Sequence, residues 1–434
     1  MQSLLLKKTR AQPHELGAVL WAFVYFFALL AGYYVLRPLR DEMGMQIGAA
    51  KLQESFTGVF LTMLAVAPLF GWLNQRVARR TLLPWLYGFF IVNLLGFYTV
   101  LEARGEQGPL VARAFFVWVS VFNLFAISVF WSFMADLFTT EQAKRLYGFI
   151  AAGGTLGALT GPLITAGLVT LLGPKHLVLV SAGLLGVVIL AIFRLRAWAL
   201  RWSVQHHVVR DESKGKGETE VLRGSIWSGL IDVARSPYLR GICWFLLSYA
   251  LLSTFLYFQS ADLLPKHVSG SGERTRLLAQ VDWLVNLIAL LFQLLAFNRV
   301  IERLGIRFTL AAMPAVSLVG YALLAVHPVI PVLVGFGVLR RAGEYALSKP
   351  GRETLFNVLP PDQKYKAKNV IDTLVHRTGD TASAWVYSSL RALGLGSAQI
   401  SWVAVPVAAA WLVVSLRLGR QAQALQGELK PNAP

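Results

Sequence analysis

Charge is scarce in this sequence. Only 15% of its 434 residues are Asp, Glu, Lys or Arg, against 56% hydrophobic ones, where a soluble domain carries about 25% charged residues. That shortage excludes an ordinary water-soluble fold. Cysteine is scarcer still: Cys243 stands alone, which excludes a disulfide framework within the chain and any multi-cysteine metal site. No nucleophile–base pair, metal-ligand spacing or phosphate-cradling glycine loop stands out, so neither an enzyme nor a cofactor or metal site is expected. No small-residue cleavage site follows the first apolar run, so the N-terminus reads as the first span and not as a secretion signal.

What is present is apolar length. Runs of roughly 18 to 25 residues recur from end to end, enough to cross about 30 Å of hydrocarbon. The pattern predicts an all-α polytopic membrane protein with twelve spans, at about 16–37, 54–73, 81–101, 112–136, 147–172, 176–194, 238–260, 277–298, 307–326, 330–349, 369–392 and 398–416. Its domains are an N-terminal six-helix bundle (1–195), a cytoplasmic linker (196–236) with a Gly/Lys/Glu/Ser-rich middle, and a C-terminal six-helix bundle (237–434).

The net charge of +18 follows from topology and not from nucleic-acid binding. The basic connections "NQRVARRT", "EQAKRLYG", "NRVIERLGIR" and "KPGRETLFNVLPPDQKYKAKN" all fall on one side of a twelve-span chain. The N-terminal "KKTR", the linker and the C-terminal "RLGR" share that side. The positive-inside bias then makes both termini cytoplasmic in a plasma (inner) membrane.

The halves echo each other. "NQRV" after the second span matches "NRV" after the eighth, and "TEQAKRLYG" after the fourth matches "PDQKYKAKN" after the tenth, both at about 220 residues' separation. Equal offsets indicate two parallel six-helix repeats, the arrangement of major-facilitator transporters. "GWLNQRVARR" (Gly71 to Arg80) resembles that superfamily's loop after the second helix, with Gln75 and Ala78 where Asp and Gly are usual. In the fifth span, Gly148, Gly157, Gly161 and Pro162 are spaced to let another helix's backbone come close.

Several spans carry charge at depth, where an Arg or Lys costs about 2.5–3.5 kcal/mol. The tenth holds Arg340, Arg341 and Glu344; Arg340 and Glu344, four apart, are expected to pair on one helix face. The eleventh carries Asp372, His376, Arg377, Asp380 and Ser383, and the eighth Asp282, Asn286 and Gln293. The first ends "GYYVLRPLRDEMG", with Tyr33, Arg37, Arg40, Asp41 and Glu42. Asp41, Glu42, Asp136 and Lys349 read as helix-end or gate charges. Asn123, Asn286 and Gln293 read as interhelical hydrogen-bonding groups.

Arginine binds carboxylate or phosphate bidentately and keeps its proton. Candidate anion-binding residues are therefore Arg37, Arg40, Arg340, Arg341 and Arg377, with Tyr33 and Tyr345 as aromatic faces. Candidate coupling or gating residues are Asp282, Glu344, His376 and Asp380. Glu344, Asp282 and Asp380 are expected to pair with the arginines when no solute is bound.

The segment from Pro350 to Asp380 resembles the nucleotide transporter (ATP/ADP translocase) family. The resemblance rests on Pro350, Arg352, Glu353, Asp362, Lys364, Lys366, Lys368, Ile371, Asp372 and Gly379. "FWSFMADLFTTEQAKRLYGF" resembles that family's fourth-helix exit, and "LRPLRDEMG" its first-helix Leu-Arg-x-x-Lys-Asp motif, with Arg40 at the basic position. Arginine stands where the family has lysine at positions 40 and 352, and the fourth span carries no internal acid. The resemblance implies a major-facilitator-like bundle that exchanges ATP for ADP or takes up other nucleotides, with Arg40 and Arg352 important for transport. The expected partners are a small anionic solute and the lipid bilayer, for a chain acting as a monomer. The rival expectation is another organic anion or amphipathic metabolite, moved with or without protons.

Overall fold

The computed structural model describes residues 11–76, 79–104, 108–205 and 226–428. Among these residues there is no strand. α1 (Leu16–Ile47), α2 (Leu52–Arg76) and α3 (Arg79–Arg104) precede α4 (Pro109–Leu137), α5 (Thr140–Leu172) and α6 (Leu177–Gln205). A short α7 (Ile226–Arg235) leads into α8 (Pro237–His267), α9 (Ser271–Leu295) and α10 (Phe297–Val326). α11 (Ile330–Gly343) runs into a π-helical turn, Glu344–Ser348, and then α12 (Lys349–Leu355). α13 (Pro361–Asn369) passes through a second π-helical stretch, Val370–Val375, into α14 (His376–Ala392), and α15 (Ser397–Glu428) follows.

Ten helices of the described residues are long and apolar enough to cross a membrane, and they match ten of the twelve expected spans. The other two, at 330–349 and 369–392, are helical but interrupted by the π turns and carry the densest charge. A chain with this many apolar helices is a multi-pass membrane protein. Within the expected linker and loops, residues 7–10, 77–78 and 206–225 lie outside the described residues; α6 continues to Gln205 and α7 occupies Ile226–Arg235.

The described residues form two compact units. One lies within Met1–Ile47, Leu61–Arg210 and Val268–Trp283, the other within Gly48–Phe60, Asp211–His267 and Leu284–Pro434. In the first unit, α1 is the central element and packs on α4, α5 and α6. Its contact with α5 depends on missing side chains. A Cβ at Gly153 would stand 2.5 Å from the Phe23 carbonyl oxygen, one at Gly161 2.7 Å from that of Ala31, and one at Gly157 would collide with that of Phe27. Backbone meets backbone there, which maximises dispersion contact where lipid offers no hydrophobic drive. Gly148, expected to share this role, has open space around it. Polar pins hold α1 on both neighbours: Thr165 Oγ1 of α5 donates to the Val35 carbonyl at 3.1 Å, and Ser181 Oγ of α6 to that of Gly32 at 3.0 Å.

α5 starts where its sequence says it should. In "TTEQ", the Thr139 hydroxyl accepts from the Gln142 N–H at 3.3 Å, and the Gln142 carboxamide accepts from the Thr139 N–H at 2.9 Å. This reciprocal cap satisfies two otherwise orphaned donors. In the second unit, α10 packs on α15 and α8 on α14 and α15, around a fully buried Trp411. α10 bends sharply at Gly305, whose φ of 71° suits a residue without a Cβ.

Candidate functional site

In the first unit, the charges at the end of α1 are met by acids and bases nearby. α1 does not stop near residue 37; it passes Pro38 and continues to Ile47, carrying Asp41 and Glu42 into the interior at 7% and 0% exposure. Arg40 donates through Nε and Nη2 to one oxygen of Asp41, at 3.0 and 2.5 Å, and its guanidinium sits over the Phe116 ring. Arg37 lies 3.6 Å from Asp282 of α9, with the Tyr34 ring 5.6 Å from its guanidinium carbon. Tyr33, the expected aromatic partner, is instead buried in the α1 core, edge-on to Tyr34.

The strongest of these pairs was not legible in advance. Glu42 receives a two-point grip from Arg274 at the start of α9, Nε to Oε2 at 2.8 Å and Nη2 to Oε1 at 2.6 Å. The third arm of Arg274 donates to the Val268 carbonyl at 3.0 Å. A fork-to-fork pair of this kind is about twice as strong as a neutral hydrogen bond.

The second unit treats its charge differently. Arg340 is 5% exposed, and its Nη2 donates to the Ser253 hydroxyl of α8 at 2.8 Å, while its guanidinium carbon stands 5.5 Å from the Tyr249 ring. Its Nε and Nη1 have no hydrogen-bond partner among the described residues. The expected pairing with Glu344 does not form. The chain leaves α-helical geometry at Glu344, whose N–H reaches back to the carbonyls of both Arg340 and Arg341. The Glu344 N–H to Arg340 carbonyl bond keeps α-helical spacing between the two residues, and the π widening follows it; Arg340 is instead drawn to Ser253 and Tyr249 of α8. Glu344 Oε2 is left buried without a hydrogen-bond partner, as is the Ser348 hydroxyl.

Beside this turn lie the other predicted residues of the second unit. Asp380 faces His376 Nδ1 at 3.3 Å and Arg377 at 3.8 Å, as expected for a charge paired on its own helix. The His376 ring is 6.0 Å from that of Tyr249. Gln293 of α9 donates to the Tyr345 carbonyl at 2.8 Å, the interhelical bond anticipated for it. Arg352 is 7% exposed and 4.0 Å from Asp372, with its Nε unpaired. Lys368 bonds to Glu353. Arg341 is half-buried, while Asp136 and Lys349 are exposed at helix ends. Tyr249 and Ser253 had escaped notice, because an aromatic and a hydroxyl one turn apart in an apolar helix carry no distinguishing signal. Among the described residues no group of three His, Cys, Asp or Glu side chains is gathered to hold a metal ion.

The arrangement gives buried guanidinium groups with open hydrogen-bonding edges in a polytopic helical chain, which suits recognition of an anion within a membrane and not covalent chemistry. The chain is 20% identical to "ADP,ATP carrier protein 1" of Chlamydia pneumoniae, over 94% of its own length and 92% of the relative's. It is 22% identical to the protein of the same name from Chlamydia muridarum (strain MoPn / Nigg), covering 94% and 89%. Among solved structures it resembles the POT family transporter PepTSo, with a TM-score of 0.63 at 14% identity over 94% and 98% of the two chains. A bacterial homologue of the iron transporter ferroportin, in an inward-facing state, gives 0.62 at 15% identity over 94% and 98%. At these identities the structural likeness speaks to the fold, and the proteins sharing it are transporters, not enzymes. Residues 16–343 match the Major Facilitator Superfamily, more than half of the sequence, and the chain belongs to that superfamily.

Proposed function

We propose that this protein is a secondary transporter of a polyanionic organic solute, and that the solute is a nucleotide taken in ATP/ADP-type exchange by alternating access. The observation that carries the reading is Arg340, buried in the second unit with two N–H groups unpaired. A buried donor without a partner costs about 1–3 kcal/mol, more when charged, and a phosphate oxygen is the acceptor that guanidinium geometry fits best. Arg352, also buried with an unpaired Nε, supplies a second cation for a multiply charged solute. Relatives named as ADP,ATP carriers support the choice of nucleotide. Exchange follows from the same charge: a carrier with an empty cationic site reorients at a cost that a bound anion removes.

The reading places the chain in the plasma (inner) membrane as a monomer with both termini cytoplasmic, its repeats being 1–195 and 237–434 about a linker at 196–236. The test is uptake of labelled ATP into proteoliposomes. ADP loaded inside is expected to raise uptake at least tenfold over empty vesicles; equal uptake in empty vesicles overturns exchange, and no competition by any nucleotide overturns the substrate.

A second reading is proton-coupled movement of another organic anion or amphipathic metabolite. It is favoured by the unpartnered Glu344 oxygen and the His376–Asp380 contact. Uptake into empty vesicles that follows an imposed pH gradient selects it over exchange.

A further inference from the structure

The π turn after α11 presents two opposite demands within one helical turn. Arg340 offers unpaired N–H donors through Nε and Nη1; Glu344 offers an unpaired acceptor through Oε2; Ser348, a hydroxyl free to serve either, follows. These side chains are only 5%, 6% and 1% exposed, so bulk water does not serve them.

A simple polyanion meets only half of this. Its oxygens suit Arg340, while the Glu344 carboxylate repels them at close range. A buried acceptor facing an incoming anion opposes binding unless the ligand also brings a donor. Among the described residues nothing hydrogen-bonds Glu344 Oε2. The Tyr249 hydroxyl lies within electrostatic reach of Arg340, Glu344, Tyr345 and Asp380, but Asp380 is engaged by His376 and Arg377, and Gln293 by the Tyr345 carbonyl. A π turn is rare and recurs at functional sites. Here it begins at Glu344, one α-helical turn after Arg340, and the two side chains stay apart, each keeping buried groups that a ligand can satisfy.

We propose that this turn recognises a solute carrying an anionic oxygen and, about one helical turn (~5 Å) away, an N–H or O–H donor: Arg340 takes the anion and Glu344 the donor. The proposal rests on the organic-anion reading above and narrows it. A nucleotide has both features, in its phosphate and in its ribose hydroxyls or exocyclic amine; an amino-acid-like zwitterion has them in its carboxylate and ammonium. Inorganic pyrophosphate has only the first.

The experiment compares the full-length purified protein with its Glu344→Gln variant, by affinity for ADP, pyrophosphate and γ-aminobutyrate. The expected result is that Glu344→Gln weakens ADP about tenfold and leaves pyrophosphate unchanged or tighter. Equal changes for ADP and pyrophosphate, or no change for any probe, overturn the proposal. If neither phosphate compound binds the wild type but γ-aminobutyrate does, and loses about tenfold with Glu344→Gln, two-point recognition stands while the nucleotide reading falls. Should that variant not fold, the wild type decides: ADP is expected to bind at least tenfold tighter than an analogue lacking both the ribose hydroxyls and the exocyclic amine, and equal affinity overturns the proposal. Omitting the hydroxyls and the amine one at a time identifies which group supplies the donor.

Discussion

The end of α1 and the end of α11 are both rich in charge, and they treat it in opposite ways. α1 stays α-helical through Pro38, and its charges find partners: Asp41 for Arg40, Asp282 for Arg37, Arg274 for Glu42. α11 gives way to a π turn, and Arg340 and Glu344 keep unpaired groups under cover. Regular geometry with matched charge makes a fixed joint. Irregular geometry with unmatched charge stores a free-energy cost that a ligand relieves. Stability experiments break the first and binding experiments the second.

The largest expected effect is therefore on stability, at Glu42. Glu42→Ala leaves the half-buried Arg274 guanidinium without its fully buried partner, and breaking a buried pair from one side costs up to about 3–5 kcal/mol. In detergent the melting temperature is expected to fall by many degrees. Glu42→Ala combined with Arg274→Met is expected to recover much of it, since the stranded charge is gone. A double variant no more stable than Glu42→Ala would show that the two residues do not act as a pair.

Arg340 should give the converse. Arg340→Met keeps an unbranched apolar stem and removes the buried charge with its unsatisfied Nε and Nη1, so the melting temperature is expected to hold or rise slightly. Affinity for the solute is expected to drop about a hundredfold, near 2.7 kcal/mol. If thermal stability collapses and the residual affinity is normal, Arg340 belongs with the joints of α1 and the contrast fails.

A third test stays inside the first unit and asks what holds α1 to α5. Gly157→Ala puts a methyl into the Phe27 carbonyl, an overpacking that costs about 1–3 kcal/mol. Gly148→Ala meets nothing within 4 Å and is expected to gain up to about 1 kcal/mol from helix propensity. Melting temperatures moving in opposite directions would confirm that one glycine serves contact and the other does not.

That pair of glycines also marks how far the sequence can be read. Helix existence was legible wherever apolar length alone decides it, which covers ten spans. The tight α1–α5 approach was legible as small-residue spacing, but not its register, because Gly148 and Gly157 look alike until the facing helix is placed. The extension of α1 over "PLRDEMGMQI" was hidden by its charge, of which Arg40 and Asp41 answer each other and Glu42 is answered by Arg274, more than two hundred residues away. The Arg340–Glu344 pairing does not form although α-helical spacing holds up to residue 344, because Arg340 turns to Ser253 and Tyr249 of another helix. Nothing local announces a π turn, which packs against another helix, α10. Charge at depth was visible, then, and its pairing was not, since pairing is a long-range property.

The smallest effect expected concerns pH, at the beginning of α1. Glu15 is buried and accepts from the Gln12 N–H at 2.8 Å, the Gln142 carboxamide at 2.8 Å and Arg145 at 3.0 Å. Burial works against its charge, but these donors and the positive charge of Arg145 win, and the carboxyl titrates below its ordinary value of 4.5. The unfolded chain therefore takes up this proton first as pH falls. The contact stabilises the fold fully above about 4.5 and is lost as pH drops through the lower folded value. Glu15→Gln is expected to flatten the acid limb of the melting-temperature profile while costing a little at neutral pH. Arg145→Ala, which removes one donor and the charge, should shift that limb to higher pH. Arg145 remains about a third exposed, at 32%, so solvent screens its share and the shift stays small beside the loss at Glu42. An acid limb identical in wild type and Glu15→Gln would mean that this joint, unlike those deeper in α1, contributes nothing through its charge.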